Sequence, residues 1–177
     1  MGEVSQKTCC RLYLPALRVI MERGTTSNKD IESLDDFRGL RIRTMENTNQ
    51  MAFWSALGAI PTPLAWEDVY GAIENGRVEA QENAADTIYG ASLQNVQKYL
   101  ACTDHLLYCN LICMSRQAWD SLDPAYQVAI EQAAAEAIAY IRPLLVEVDR
   151  YHKERLVEEG MTMIEYDAEF YESHPCS

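Results

Sequence analysis

Arg23, Arg43 and Asn83 are the residues of this chain whose types and spacing suggest chemistry. They stand in Arg23-Gly-Thr-Thr-Ser-Asn28, Gly39-Leu-Arg-Ile-Arg43 and Gln81-Glu-Asn83. An arginine presents a planar fork of N–H donors that matches a carboxylate with two parallel hydrogen bonds. An asparagine adds one donor group and one acceptor. The set describes a clamp for a small organic acid, not a nucleophile with its base. The sequence holds no G-x-S-x-G elbow, no H-E-x-x-H and no P-loop, the patterns that would announce common hydrolytic, metal-dependent or nucleotide chemistry. No catalytic residue, metal ligand or cofactor site is therefore assigned. His105, His152 and His174 lack partner spacings that suggest catalysis, and Arg41 reads as a solvated strand residue. For Glu82, a role in orienting an arginine is the lesser of its readings.

The elements that must carry these residues follow from pattern. Ser33-Leu-Asp-Asp36 reads as a helical start with Asp36 reaching back to Ser33, and Gly39 ends that turn. Leu40–Thr44 alternates as a strand, with Ile42 inward and Arg41 and Arg43 on the opposite face. Arg43 then lies near the carboxyl end of its strand, the edge where open α/β sheets place ligands. A helix over 48–57 ends at Gly58, 59–63 is a short extended link, and 66–73 is helical with Gly76 as its stop. A strand over 78–81 leads to Asn83, which faces a ligand, caps the next helix, expected over 87–100, or serves both. Residues 108–114 form the most apolar strand, and Arg18–Met21 a short one. Asp123-Pro124 opens a long helix to about Glu159, with a stripe of Ile130, Ala134, Ile138, Ile141, Leu145 and Val148, and Pro143 inside it. Met161–Glu165 is a last strand. Alternating strands and helices make this an α/β fold with a small mixed sheet flanked by helices.

Composition narrows the partners. The formal net charge of −12 argues against nucleic acid as a partner. It also requires that an anionic ligand be held by local cations. No apolar run reaches a membrane span, and the first residues show no signal peptide. Among the six cysteines, Cys102, Cys109 and Cys113 with His105 imitate a zinc site. In an extended strand, Cys109 and Cys113 would lie about 13 Å apart, too far for one zinc. Buried free thiols are the reading preferred.

Longer stretches carry a resemblance. Ser33-Leu-Asp-Asp-Phe-Arg-Gly-Leu-Arg-Ile-Arg43, Gly58-Ala-Ile-Pro-Thr-Pro-Leu-Ala-Trp-Glu-Asp-Val-Tyr70 and Gly76-Arg-Val-Glu-Ala-Gln-Glu-Asn83 closely resemble the solute-binding proteins of tripartite ATP-independent periplasmic (TRAP) transporters, the DctP type. Val96–Leu100 and Met114–Leu122 continue the likeness. It implies two α/β lobes that close on an organic acid and deliver it to a membrane permease, in the periplasm. By the same resemblance Arg43 corresponds to the selectivity arginine, Arg23 to a second ligand-facing arginine, Asn83 to the ligand-facing asparagine and Trp66 to the aromatic that packs on the ligand. Ala84 stands where the family usually has proline.

The likeness is to the second lobe and hinge helix. The expected organisation is a frayed leader over 1–17, a ligand-binding lobe over 18–114, a hinge and long kinked helix over 115–160, and a last strand with tail over 161–177. A long helix without its first lobe would leave apolar surface uncovered, which predicts a homo-oligomer. Two other readings stay open: a self-associating α/β fragment that binds nothing, and an enzyme acting on small carboxylic acids.

Overall fold

The computed structural model describes residues 10–12, 21–108 and 112–172. Its centre is a six-stranded sheet formed by β3 (Gly24–Ser27), β4 (Arg41–Thr44), β5 (Ile60–Pro63), β6 (Ala80–Asn83), β7 (Tyr99–Ala101) and β10 (Thr162–Ile164). The strand order is β10-β7-β3-β6-β4-β5. Every neighbouring pair is parallel except the two made by β3, which runs antiparallel to β6 and β7. The prolines of Ile60-Pro-Thr-Pro63 explain why β5 is an edge: proline cannot donate to a ladder on both sides. The segment expected to be a link is thus a paired strand, in register with β4 from Arg41↔Ile60 to Thr44↔Pro63.

Two apolar clusters cover the sheet. One gathers Ile42, Ala80 and Ala101 from the strands with Phe37, Trp54 and Leu57, where Trp54 belongs to α1 (Thr48–Ala56) and Phe170 to α6 (Ala168–Glu172). The other packs Leu100 against Val69, Ala72 and Ile73 of α2 (Val69–Glu74), Ile88 of α3 (Ala85–Gly90), and Leu156. Leu156 lies near the end of α5 (Pro124–Glu158). Asn47 caps α1 by accepting from the backbone N–H of Asn49 and Gln50, which satisfies two donors that a helix start leaves over. Asp36 accepts from the N–H and hydroxyl of Ser33 at 3.0 Å, as the sequence predicts. Gly58, with φ +81°, closes α1 and returns the chain to β5.

The helix expected over 87–100 is not one helix. It stops at Gly90, Ser92 adopts φ 55°, a 3-10 turn spans Leu93–Asn95, and residues 99–101 form β7. Ser92 in the left-handed region reverses the chain, and Leu100 and Ala101 then enter the sheet interior. The sequence also misses β3. Its Thr25, Thr26 and Ser27 are polar yet wholly buried. They are tolerated because partners are built in. Thr26 donates to Gln97 Oε1 at 2.7 Å, Gln81 donates to Thr26 at 2.7 Å, and Thr25 shares a hydrogen bond with Thr103 at 3.1 Å.

Of the single apolar strand expected over 108–114, residues 109–111 lie outside the described residues, and a short strand stands on each side of them. β8 (Leu107–Tyr108) pairs with β2 (Met21–Glu22), and β9 (Cys113–Ser115) pairs antiparallel with β1 (Cys10–Leu12). Cys109 and residues 18–20 lie outside the described residues. Cys102 is buried as expected, whereas Cys113 is exposed. Residues 10–12, read as part of an unpatterned leader, form a strand, while the rest of 1–17 lies outside the described residues. Ser115 caps α4 (Arg116–Asp120), and Asp123 caps α5, accepting from Ala125 N–H at 2.8 Å. The 35-residue α5 runs unbroken through Pro143. The Asp149–Lys153 pair on it is formed at 2.8 Å.

By compactness the chain forms two units, 1–21 with 108–148 and 22–107 with 149–177. Each is built from two separate stretches, unlike the contiguous segments drawn from sequence. β10 shows why: it hydrogen-bonds to β7 and so belongs to the main sheet.

Candidate functional site

All four residues singled out in the sequence lie in the second unit. Arg43 is the third residue of β4 and Asn83 the last of β6, so both stand at the carboxyl ends of parallel strands. Register places Arg43 opposite Gln81, and side chains two apart on a strand share a face. Arg43, Gln81 and Asn83 therefore leave the sheet on one side, and Ile42, Ala80 and Glu82 on the other. Because β3 is antiparallel, its first residue, Gly24, pairs with Asn83 at this same edge, and Arg23 precedes it.

Arg43 is buried, yet it lines a hollow of about 380 Å³ together with Met45, Glu46, Pro63, Leu64 and Ala65. Its Nε and Nη2 donate to the Leu64 carbonyl at 3.0 and 2.8 Å. That carbonyl is itself fixed, since Leu64 N–H continues the ladder to Thr44 O. Among the described residues no carboxylate is hydrogen-bonded to Arg43. Burial pushes its pKa down, the Glu82 charge opposes this and the Arg23 charge adds to it. Arginine begins so far above neutrality that it stays a cation. Trp66, half-exposed at the start of a 3-10 turn over Trp66–Asp68, sits with its ring centroid 5.4 Å from the Arg43 guanidinium carbon. The contact is a cation–π pair.

Arg23 is held differently. It forms a buried ion pair with Glu82: Nε and Nη2 reach the two carboxylate oxygens at 2.5 and 3.0 Å, and Nη2 also reaches the Glu82 carbonyl at 3.0 Å. His105 completes the group. Its Nε2 lies 3.4 Å from Glu82 and its Nδ1 is 2.8 Å from the Thr103 hydroxyl. Its ring stacks on Phe53 and meets Trp54 edge-on. Burial alone would push the Glu82 carboxyl up; hydrogen bonds from His105 and Arg23, with their charges, outweigh it and hold it below the ordinary carboxylate value.

Asn83 accepts from Ala84 N–H at 3.1 Å, and its amide N–H₂ has no protein partner among the described residues. Ala84, not Asn83, occupies the cap position of α3, without a side-chain cap. The capping alternative for Asn83 is thus corrected. Arg41, on the solvated face as read, pairs with Glu79 at 3.5 Å.

Sequence reasoning missed His105, the Leu64 carbonyl, Met45 and Glu46. A backbone acceptor has no sequence signal. His105 was visible only as part of a zinc-like run, but its ring nitrogens face Thr103 and Glu82, and among the described residues no group of His, Cys, Asp or Glu could hold a metal ion.

The family profile described as DctP, bacterial extracellular solute-binding protein, family 7, matches residues 21–173. This chain belongs to that family. It is 34% identical over 85% of its length to a solute-binding protein of Roseobacter denitrificans, covering 46% of that relative. It is 27% identical over 77% of its length to the C4-dicarboxylate-binding periplasmic protein DctP of Rhodobacter capsulatus, covering 41% of it. The crystal structure of a TRAP periplasmic solute-binding protein from Roseobacter denitrificans with bound L-galactonate superposes with a TM-score of 0.86 and 32% identity, covering 97% of this chain and 56% of that one. The chain thus spans about half the length of the relatives it matches.

Proposed function

We propose that this DctP-family chain is a solute-binding subunit, or the part of one, of a TRAP transporter, and that it holds a small organic acid by arginine–carboxylate pairing for delivery to a membrane permease. The observation that carries the reading is Arg43: a guanidinium anchored through two N–H groups to a carbonyl, not to an acid, at the wall of a hollow. Such an arrangement fixes the fork without neutralising it, so the remaining donors serve a carboxylate. In this reading the unpartnered amide of Asn83, at the same sheet edge, serves a hydroxyl or carboxyl oxygen, and the Trp66 ring packed on Arg43 serves apolar contact, although neither lines the hollow itself. Arg23 supports the site as a cation whose charge is shared with Glu82. No step of bond making is assigned, and the work is binding and release. The bound L-galactonate of the Roseobacter protein supports the ligand class. Family membership supports a periplasmic location.

The test is calorimetric titration of a panel of small carboxylates. An acid should bind, Arg43→Ala should abolish the heat, and Arg43→Lys should weaken binding more than tenfold, or about 1.4 kcal/mol, because one ammonium cannot reproduce the bidentate fork. Equal affinity in Arg43→Lys would remove the reading. The same proposal includes a homo-oligomer. Tyr140 and Val146 of α5, 72% and 75% exposed, are the apolar surface that supports it.

A further inference from the structure

The family contains relatives named for C4-dicarboxylates and others crystallised with a sugar acid. The charges around this hollow distinguish the two classes. We infer that Glu46 is a specificity-determining residue that makes the site select hydroxylated monocarboxylates over dicarboxylates, an inference that rests on the function proposed above.

Glu46 lines the same hollow as Arg43, so the lining holds one cationic and one acidic residue. Glu46 is exposed and, among the described residues, makes no hydrogen bond or ion pair with the protein. An ionised carboxylate only accepts hydrogen bonds. Its complement on a ligand is a hydroxyl, which donates. A second ligand carboxylate would meet Glu46 as a like charge, and like charges near one another are disfavoured. The one other arginine of the edge, Arg23, already has Glu82 as its partner at 2.5 Å. Counted together, Arg43, Arg23, Glu46 and Glu82 sum to zero, so a monocarboxylate brings the group to −1 and a dicarboxylate to −2. The field of a chain carrying −12 further disfavours the second charge. Met45, Pro63 and Ala65 supply the apolar lining against which the carbon chain of a hydroxy acid would lie, between the carboxyl group at Arg43 and the hydroxyls at Glu46.

The experiment is calorimetric titration of the 177-residue chain, Glu46→Gln and Arg43→Ala with two panels: aldonates and uronates, and succinate, fumarate and malate. The inference expects the best hydroxylated monocarboxylate to bind at least tenfold tighter than any dicarboxylate. It expects Glu46→Gln to shrink that ratio at least tenfold, chiefly because dicarboxylates gain. Glu46 is exposed, so the substitution leaves the fold intact, and an unchanged thermal melting curve checks this. Binding that depends on Arg43 but shows an unchanged ratio in Glu46→Gln, or a dicarboxylate bound most tightly by the unaltered chain, overturns the inference and leaves the organic-acid reading standing. Absence of binding by either panel, or binding unaffected by Arg43→Ala, overturns that reading and this inference with it.

Discussion

Two arginines at one sheet edge end in opposite electrostatic situations, and the difference comes from single neighbours. Arg23 meets a buried carboxylate, while Arg43 meets a carbonyl. A buried ion pair is a weak net stabiliser when whole and a costly one to break, because the remaining charge is left uncompensated. Glu82→Gln should therefore destabilise the protein by roughly 3–5 kcal/mol, read from urea unfolding at neutral pH. The pH dependence has a defined sign. Glu82 is held below its ordinary value of 4.5 in the folded state, so its contribution is complete above about 4.5 and is lost as pH falls through the lower folded value. The stability gap between the original protein and Glu82→Gln should narrow over that acid window and stay flat from pH 5 to 8; a gap that widens on acidification would contradict the assignment. At this scale Arg43 was legible because the strand alternation around Ile42 fixes its face. Glu82 was only half legible: its position beside Asn83 was plain, but the identity of its partners depends on β3 and on the turn after β7.

Elements were legible where pattern and burial agree, and illegible where polarity hides a core position. The strand around Ile42, the turn at Ser33–Asp36 and α5 with its cap at Asp123 follow the sequence closely. β3 does not, because Gly24-Thr-Thr-Ser27 looks like a surface loop. It becomes the antiparallel interior strand because Gln81, Gln97 and Thr103 arrive from distant segments to meet its hydroxyls. Thr26→Val keeps the shape and removes the hydroxyl that serves both Gln81 and Gln97. It should cost about 2 kcal/mol by leaving buried amide groups unpaired, measured as a lower urea midpoint with an unchanged m-value. A neutral result would mean that the two glutamines find other partners. β7 was misread as helix for a related reason: the break at Ser92 needs a left-handed residue that is not glycine, and such residues give little warning.

At the scale of the molecule, the exposed apolar side chains of α5 bear on the proposed self-association. Tyr126, Tyr140 and Val146 are all more than half exposed, and apolar surface of this kind, where it gathers into a patch, favours association. Sedimentation velocity should show concentration-dependent association, and Tyr140→Glu with Val146→Glu should lower it without affecting the binding of an acid; a monomer at all concentrations would remove the homo-oligomer from the proposal. The stripe itself was legible from its spacing, but which side chains beside it remain uncovered was not, since exposure depends on what the rest of the fold reaches. The sheet edge at the site has its own kinetic consequence. Residues 23, 43 and 83 reach this edge only after strands far apart in sequence have paired, with β3 inserted between β6 and β7. Contacts of such long sequence separation form slowly, because loops must close before any pairing rewards them. In a refolding experiment, the capacity to capture ligand should thus emerge with the slowest kinetic phase, after most helical signal has returned.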